Sequence, residues 1–208
     1  MPASPPPSAL HNTQLRRRGV LVGVAVLIIA AFGLVGSREV TPWWPAAVIG
    51  AGLAAILICI LGRCWCTLFI GGRKSMQLVD IGPYSLCRNP LYFFSFIGAF
   101  GFGAQIGSLT VALVTTLLVV IVFFVTVKKE EAFLTGALGE PYLAYLGRTP
   151  RFIPNPALWR TVETLEVRPR LVTMTFVDGL LFLLGVPLAL GAAWLHETGA
   201  LPVLITLP

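Results

Sequence analysis

The sequence predicts an all-α integral membrane protein of about five transmembrane helices, with the N-terminus in the cytoplasm. Three observations carry this. Of 208 residues, 56% are hydrophobic and only 12% charged, about half the charge of a soluble domain, and the mean hydropathy is +0.85. Uncharged runs near the length of a membrane-spanning helix, about 20 residues, recur along the chain. The basic residues are segregated between alternate connections. Together these exclude a disordered chain and a large soluble domain.

The elements follow in order. Residues 1–18 form a Pro- and Ser-rich N-terminus, expected to be disordered, that ends in Arg16, Arg17 and Arg18. Residues 19–36 are an uncharged run of 18, longer than the apolar region of a signal peptide, and are the first expected span. Trp43 and Trp44 between Pro42 and Pro45 mark an interfacial anchor at the start of the second, 45–62. Residues 63–90 are expected to be a polar connection. The runs 91–107 and 108–127 form a helical hairpin, in which Gly98, Gly101 and Gly103 allow close approach of another helix or of a ligand. The helix of the fourth span is expected to continue through Glu131 to a C-terminal cap at Gly139. A long polar stretch leads to the fifth span, 176–195, which contains Asp178 near its start and Pro187 inside. The organisation is therefore 1–18, two helices over 19–62, a core over 63–155, and an interfacial segment with a final span over 156–208.

With the N-terminus inside, the inner segments 1–18, 63–90 and 128–175 hold 3, 4 and 7 Lys and Arg residues, and the outer ones hold only Arg38. That split places the polar chemistry on the cytoplasmic face of the membrane and the C-terminus outside. The net charge of +6 is thereby a matter of topology, and no nucleic acid is implied. Cys59, Cys64, Cys66 and Cys87 lack zinc spacing, and no metal site is expected.

Two polar clusters abut the spans. In the first, Gly82-Pro83-Tyr84-Ser85-Leu86-Cys87-Arg88-Asn89-Pro90-Leu91-Tyr92, turn signals precede Asn89 as an N-cap and Pro90 in the first helical turn. This helix end with Arg88 beside it suits a carboxylate or phosphate; it is equally the form of a capped helix whose arginine reaches headgroups. In the second, Lys128-Lys129-Glu130-Glu131, neighbouring carboxylates point in different directions, so they are not a matched acid–base pair. They can receive a cation or ligand hydroxyls, or form a solvated charge cluster. Tyr142 and Tyr145, three residues apart, read as interfacial packing.

Taken together the clusters resemble one family. GPYSLCRNPLY is similar to the GPYxxxRHPxY signature of the membrane-embedded isoprenylcysteine carboxyl methyltransferases and phospholipid methyltransferases. The order of the remaining elements is kept: a hairpin, EE at 130–131, GEPYLAY at 139–145 and PRFIP at 150–154. The departure is Asn89 where the signature has His, an amide that can still donate a hydrogen bond. The resemblance implies a methyltransferase using S-adenosylmethionine without a Rossmann domain. It implies that Val79, Tyr84, Arg88, Asn89, Pro90, Leu91 and Tyr92 hold the cofactor from one side and Glu130 and Glu131 from the other. Arg88, Glu130 and Glu131 are then the catalytic candidates, and Tyr142, Tyr145 and Arg151 border the substrate entrance.

The residue chemistry is compatible. Arg88 suits the cofactor carboxylate, the glutamates suit its ammonium or ribose, and Tyr84 and Tyr92 offer aromatic faces to the adenine or sulfonium. The acceptor is expected to be lipidic or apolar and to enter from the bilayer, either isoprenylcysteine carboxylate-like or phospholipid amine-like. In a bacterium the location is the inner membrane. The rival readings are an NADPH-dependent sterol-type reductase, which generally has more spans, and a small transporter or scaffold, against which the scarcity of charge in the first four spans argues.

Overall fold

The structure is a computed structural model that describes residues 30, 33–37, 43–71 and 77–207. It is mostly helical, and three of its helices are long and apolar enough to cross a membrane. The basic N-terminus and nearly all of the first expected span lie outside the described residues.

Helix α1 (Trp44–Ile70) begins as expected, with Pro45 in its first turn and Trp43 exposed and packed edge-on to Trp44. It does not stop at Gly62. It runs eight residues further, because Arg63 is accommodated within the helix and Cys64 to Ile70 continue an apolar segment. A four-residue turn, α2 (Pro83–Leu86), leads into α3 (Pro90–Gly103), which tightens into a 3-10 turn at Ala104–Ile106. Gly107, with φ of 81°, and Ser108, whose hydroxyl accepts from the Val111 amide at 3.3 Å, turn the chain into α4 (Leu109–Leu138).

At 30 residues, α4 is about 45 Å long, against about 30 Å of bilayer hydrocarbon. Its last turns therefore project past the apolar layer. It ends at Gly139 as expected, with φ of 62°. Helix α5 (Glu140–Arg148) follows, and an irregular segment with a 3-10 turn at Pro156–Leu158 leads to the last helical stretch. That stretch starts at Pro169 rather than at 176. It comprises α6 (Pro169–Leu180), a 3-10 turn at Leu181–Leu184 and α7 (Gly185–Glu197). The tightened turn lies directly before Pro187, where the ring removes a backbone donor and crowds the preceding turn. The all-α expectation has one exception: β1 (Val35–Ser37) pairs in parallel with β2 (Ile205–Leu207).

The bundle is assembled on backbone contact between α1 and α3. A side-chain carbon at Gly101 would stand 2.5 Å from the Gly52 carbonyl oxygen, and one at Gly98 would stand 2.5 Å from Cys59 Sγ. At Gly103 it would meet Thr115 and Ala112 of α4. The glycines of α3 thus serve helix approach, not a ligand. The outward faces of α1, α4 and α7 present Leu57, Leu61, Leu117, Ile121 and Leu190, the apolar exterior that a bilayer solvates. Asp178 is exposed on α6 and has no ion pair among the described residues.

Candidate functional site

The polar residues gather at the end of the bundle where α1 finishes, α3 begins and α4 overshoots. What holds them there is a strap, residues 149–160, lying along the loop 80–89. The Arg88 amide donates to the Pro150 carbonyl at 2.8 Å, the Asn155 amide to Leu86 at 2.9 Å and the Gly82 amide to Arg160 at 2.7 Å. The Arg160 amide donates in turn to the Ser85 hydroxyl at 3.0 Å. Asn89 occupies the N-cap position of α3, but its side chain makes no cap. Its amide nitrogen instead donates to the Arg151 carbonyl at 3.2 Å. This corrects the capping role expected of it: the bond to the strap orients the side-chain amide, and its oxygen accepts nothing from the first turn of α3.

The two glutamates diverge, as adjacent helical positions must. Glu130 turns toward α3 and accepts from the Tyr92 hydroxyl at 3.0 Å. Glu131 is 8% exposed and turns toward the strap. Arg151 Nε and Nη2 both donate to it, Nη2 at 2.9 Å, the fork geometry that makes such pairs strong. Arg88 Nε lies 3.5 Å from the same carboxylate, within ion-pair reach but beyond a hydrogen bond, and that nitrogen is buried without an acceptor among the described residues. A buried carboxylate thus faces two guanidinium groups. The hydrogen bond with Glu131 raises the Arg151 pKa above its ordinary value.

The aromatic residues form the wall and floor. Phe152 of the strap packs edge-on against Phe96 of α3 and beside Phe124 of α4, and Phe123 lies 4.7 Å from the Tyr92 ring, centre to centre. Arg151 covers the face of Phe124 at 5.6 Å.

Tyr142 and Tyr145 are not on an outward face of α5. They are 4% and 3% exposed, because α5 turns both into the bundle. The Tyr145 hydroxyl donates to the Tyr84 carbonyl at 2.6 Å, and Tyr84 itself is buried. In this conformation those three tyrosines form the base of the site rather than an open entrance. Val79 and Leu91 are half-buried, and Pro90 is buried. Tyr145→Phe is expected to lower stability by about 1 kcal/mol, the net value of one such bond, as measured by thermal unfolding in detergent.

Burial, and then the charge of Glu131, pushes Tyr142 up to about 12. Burial also raises Tyr84 and Tyr145 well above the ordinary phenol value. Near neutral pH these groups are hydroxyl donors, not bases. A raised folded-state value means stability is fully present below pH about 10 and is lost as pH climbs through about 12. Ultraviolet titration of Tyr142→Phe against the parent protein is therefore expected to differ only above pH about 10.

Sequence reasoning missed Asp80, which pairs with Arg148 and, at 3.2 Å, with Arg160, and it missed Phe152. Their partners are remote in sequence, and no periodicity announces them. A cavity of about 380 Å³ lies elsewhere, at the opposite end of the bundle among Ile49, Gln105, Ala189, Leu190 and His196. It is mainly apolar and holds none of the charged cluster.

Comparison with known proteins bears on this geometry. The phospholipid methyltransferase family matches residues 47–140, a span that contains Arg88, the Asn89–Tyr92 stretch, Glu130 and Glu131. The chain is 32% identical to the nickel-cobalt-cadmium resistance protein NccN of Alcaligenes xylosoxydans xylosoxydans, over 100% of this chain and 97% of that one. It is 34% identical to the cobalt-zinc-cadmium resistance protein CzcN of Cupriavidus metallidurans, over 96% of this chain and 92% of that one. No solved structure matches it.

Proposed function

The chain belongs to the phospholipid methyltransferase family of membrane proteins, and from that premise we propose that it transfers a methyl group from S-adenosylmethionine to a lipidic acceptor on the cytoplasmic face. The observation that carries this reading is the convergence of Arg88, Tyr92, Glu130 and Glu131, from two separate helices and the loop before one of them, on one end of the bundle. The residues fit the cofactor. The buried Arg88 Nε lacks an acceptor among the described residues, and a carboxylate would supply one. Glu130, oriented by Tyr92, and Glu131 suit an ammonium or ribose hydroxyls.

When bound, S-adenosylmethionine supplies an electrophilic methyl group on a sulfonium. The chain's part is then positioning and the exclusion of water. Arg88 and the glutamates hold the polar ends, and Phe96, Phe123, Phe124 and Phe152 form a wall that keeps solvent away. The helix α3 with its 3-10 extension, Pro90–Ile106, is about 25 Å long, shorter than the bilayer hydrocarbon of about 30 Å. The site at its N-terminal end is thereby drawn toward the level of the lipid, where an apolar acceptor arrives sideways.

The test is transfer of tritiated methyl from S-adenosylmethionine into a total lipid extract by the full chain in vesicles. Organic-soluble label that appears with the parent protein and disappears with Glu131→Gln is expected. No label in any lipid fraction, from protein that remains folded, contradicts the proposal.

A further inference from the structure

We infer that Arg63, with Ser95, is the recognition point for an anionic head group on the methyl acceptor, so that the acceptor is a lipid bearing a carboxylate or phosphate. The inference deepens the methyltransferase reading and rests on it for the identity of the ligand as acceptor.

Arg63 lies seven residues before the end of α1, about 10 Å inside the helix terminus and within an otherwise apolar segment. Its Nη1 donates to the Ser95 hydroxyl at 2.6 Å, and Ser95 is 2% exposed. Its Nε is buried and has no acceptor among the described residues. Among the described residues no carboxylate lies within 4.0 Å of it, whereas Arg88, Arg148, Arg151 and Arg160 each have one. Arg168 and Arg170 also lack one, but both are exposed, where water serves. A half-buried guanidinium with an unsatisfied inner donor and no counter-ion is costly to keep. Its planar fork matches a carboxylate or a phosphate.

The position is right for an acceptor. Ser95 follows Tyr92 by three residues on α3, so it lies about one turn deeper on a neighbouring face. The anionic group would then stand about one turn deeper than Tyr92, on the side of α3 that faces α1, with its chain in the bilayer. Gly62 lets the Phe94 ring press against α1 beside Arg63. Trp65 packs edge-on to Phe94 and stacks on Trp159 of the strap, centres 5.9 Å apart. An aromatic wall thus joins the arginine's neighbourhood to the strap that closes the other site.

The experiment is calorimetric titration of oleate, dodecyl phosphate and methyl oleate into the full chain in non-ionic detergent. Acetate and inorganic phosphate serve as chain-free controls, and S-adenosylhomocysteine is titrated into the same samples. The parent protein is expected to bind at least one of the two anionic lipids tenfold or more tighter than methyl oleate, and the chain-free anions at least tenfold more weakly than that lipid. Whichever anionic lipid binds more tightly names the head group. Arg63→Gln is expected to abolish the preference while S-adenosylhomocysteine affinity stays within twofold, and Arg63→Lys to retain part of it. Should Arg63→Gln not fold, Ser95→Ala carries the test, with an expected threefold or greater loss of preference. Equal binding of anionic and neutral lipids by the parent protein overturns the inference, as does a preference that survives in Arg63→Gln. An anion preference in parent protein that binds no S-adenosylhomocysteine overturns the acceptor assignment through failure of the methyltransferase reading itself.

Discussion

Glu131→Gln is expected to weaken S-adenosylhomocysteine binding by more than tenfold, or about 1.4 kcal/mol, in protein that still inserts and purifies. The carboxylate is the common partner of Arg151 and Arg88, at 2.9 and 3.5 Å. Replacing it with an amide leaves both guanidinium groups without their counter-charge and loosens the strap from α4. Breaking a fully buried pair costs about 3–5 kcal/mol. Arg151 is 33% exposed, so solvent screening reduces this and a stability loss of about 2 kcal/mol is expected. Asp80→Asn is the control. It also removes a carboxylate that serves two arginines, but the cluster is exposed, with Arg160 at 54%, and lies outside the charged cluster. Less than a twofold change in affinity is expected there. Calorimetry for binding and unfolding in detergent for stability measure both effects.

Gly101→Val is expected to disrupt the fold more than any single change at the site. The new side chain would begin 2.5 Å from the Gly52 carbonyl oxygen and 3.0 Å from the Ile56 amide nitrogen. These are backbone atoms of α1, which cannot rotate away as a side chain can. The helices must separate, and the α1–α3 contact that positions Arg88 and Tyr92 separates with them. Overpacking of this kind costs about 3 kcal/mol or more. Gly136→Ala, with nothing within 4 Å of the added carbon, is expected to be neutral or to stabilise α4 by up to about 1 kcal/mol. Unfolding temperatures of the two variants in one detergent give the comparison.

Much of this architecture is legible in the linear chain, for a physical reason. The bilayer requires long apolar runs, so helices α1, α4 and α6–α7 are visible as composition. Gly139 shows the end of α4 because a left-handed terminus needs glycine. The divergence of Glu130 and Glu131 follows from helical geometry alone. Elsewhere local rules were overridden by partners distant in sequence. Arg63 reads as the start of a loop, yet Ser95 gives its guanidinium a place inside the bundle. Asn89 reads as a cap, yet the Arg151 carbonyl captures it. Tyr142 and Tyr145 read as interfacial, yet both turn inward beneath the charged cluster. The pairing of β1 with β2 joins residues some 170 positions apart, and no periodicity over three residues could announce it.

The most direct test of the methyltransferase reading is calorimetric titration of S-adenosylhomocysteine into the detergent-purified full chain, with NADPH as the comparison ligand. Saturable binding of S-adenosylhomocysteine and none of NADPH is expected. Absence of binding up to millimolar concentration by demonstrably folded protein, or saturation by NADPH instead, would contradict that reading.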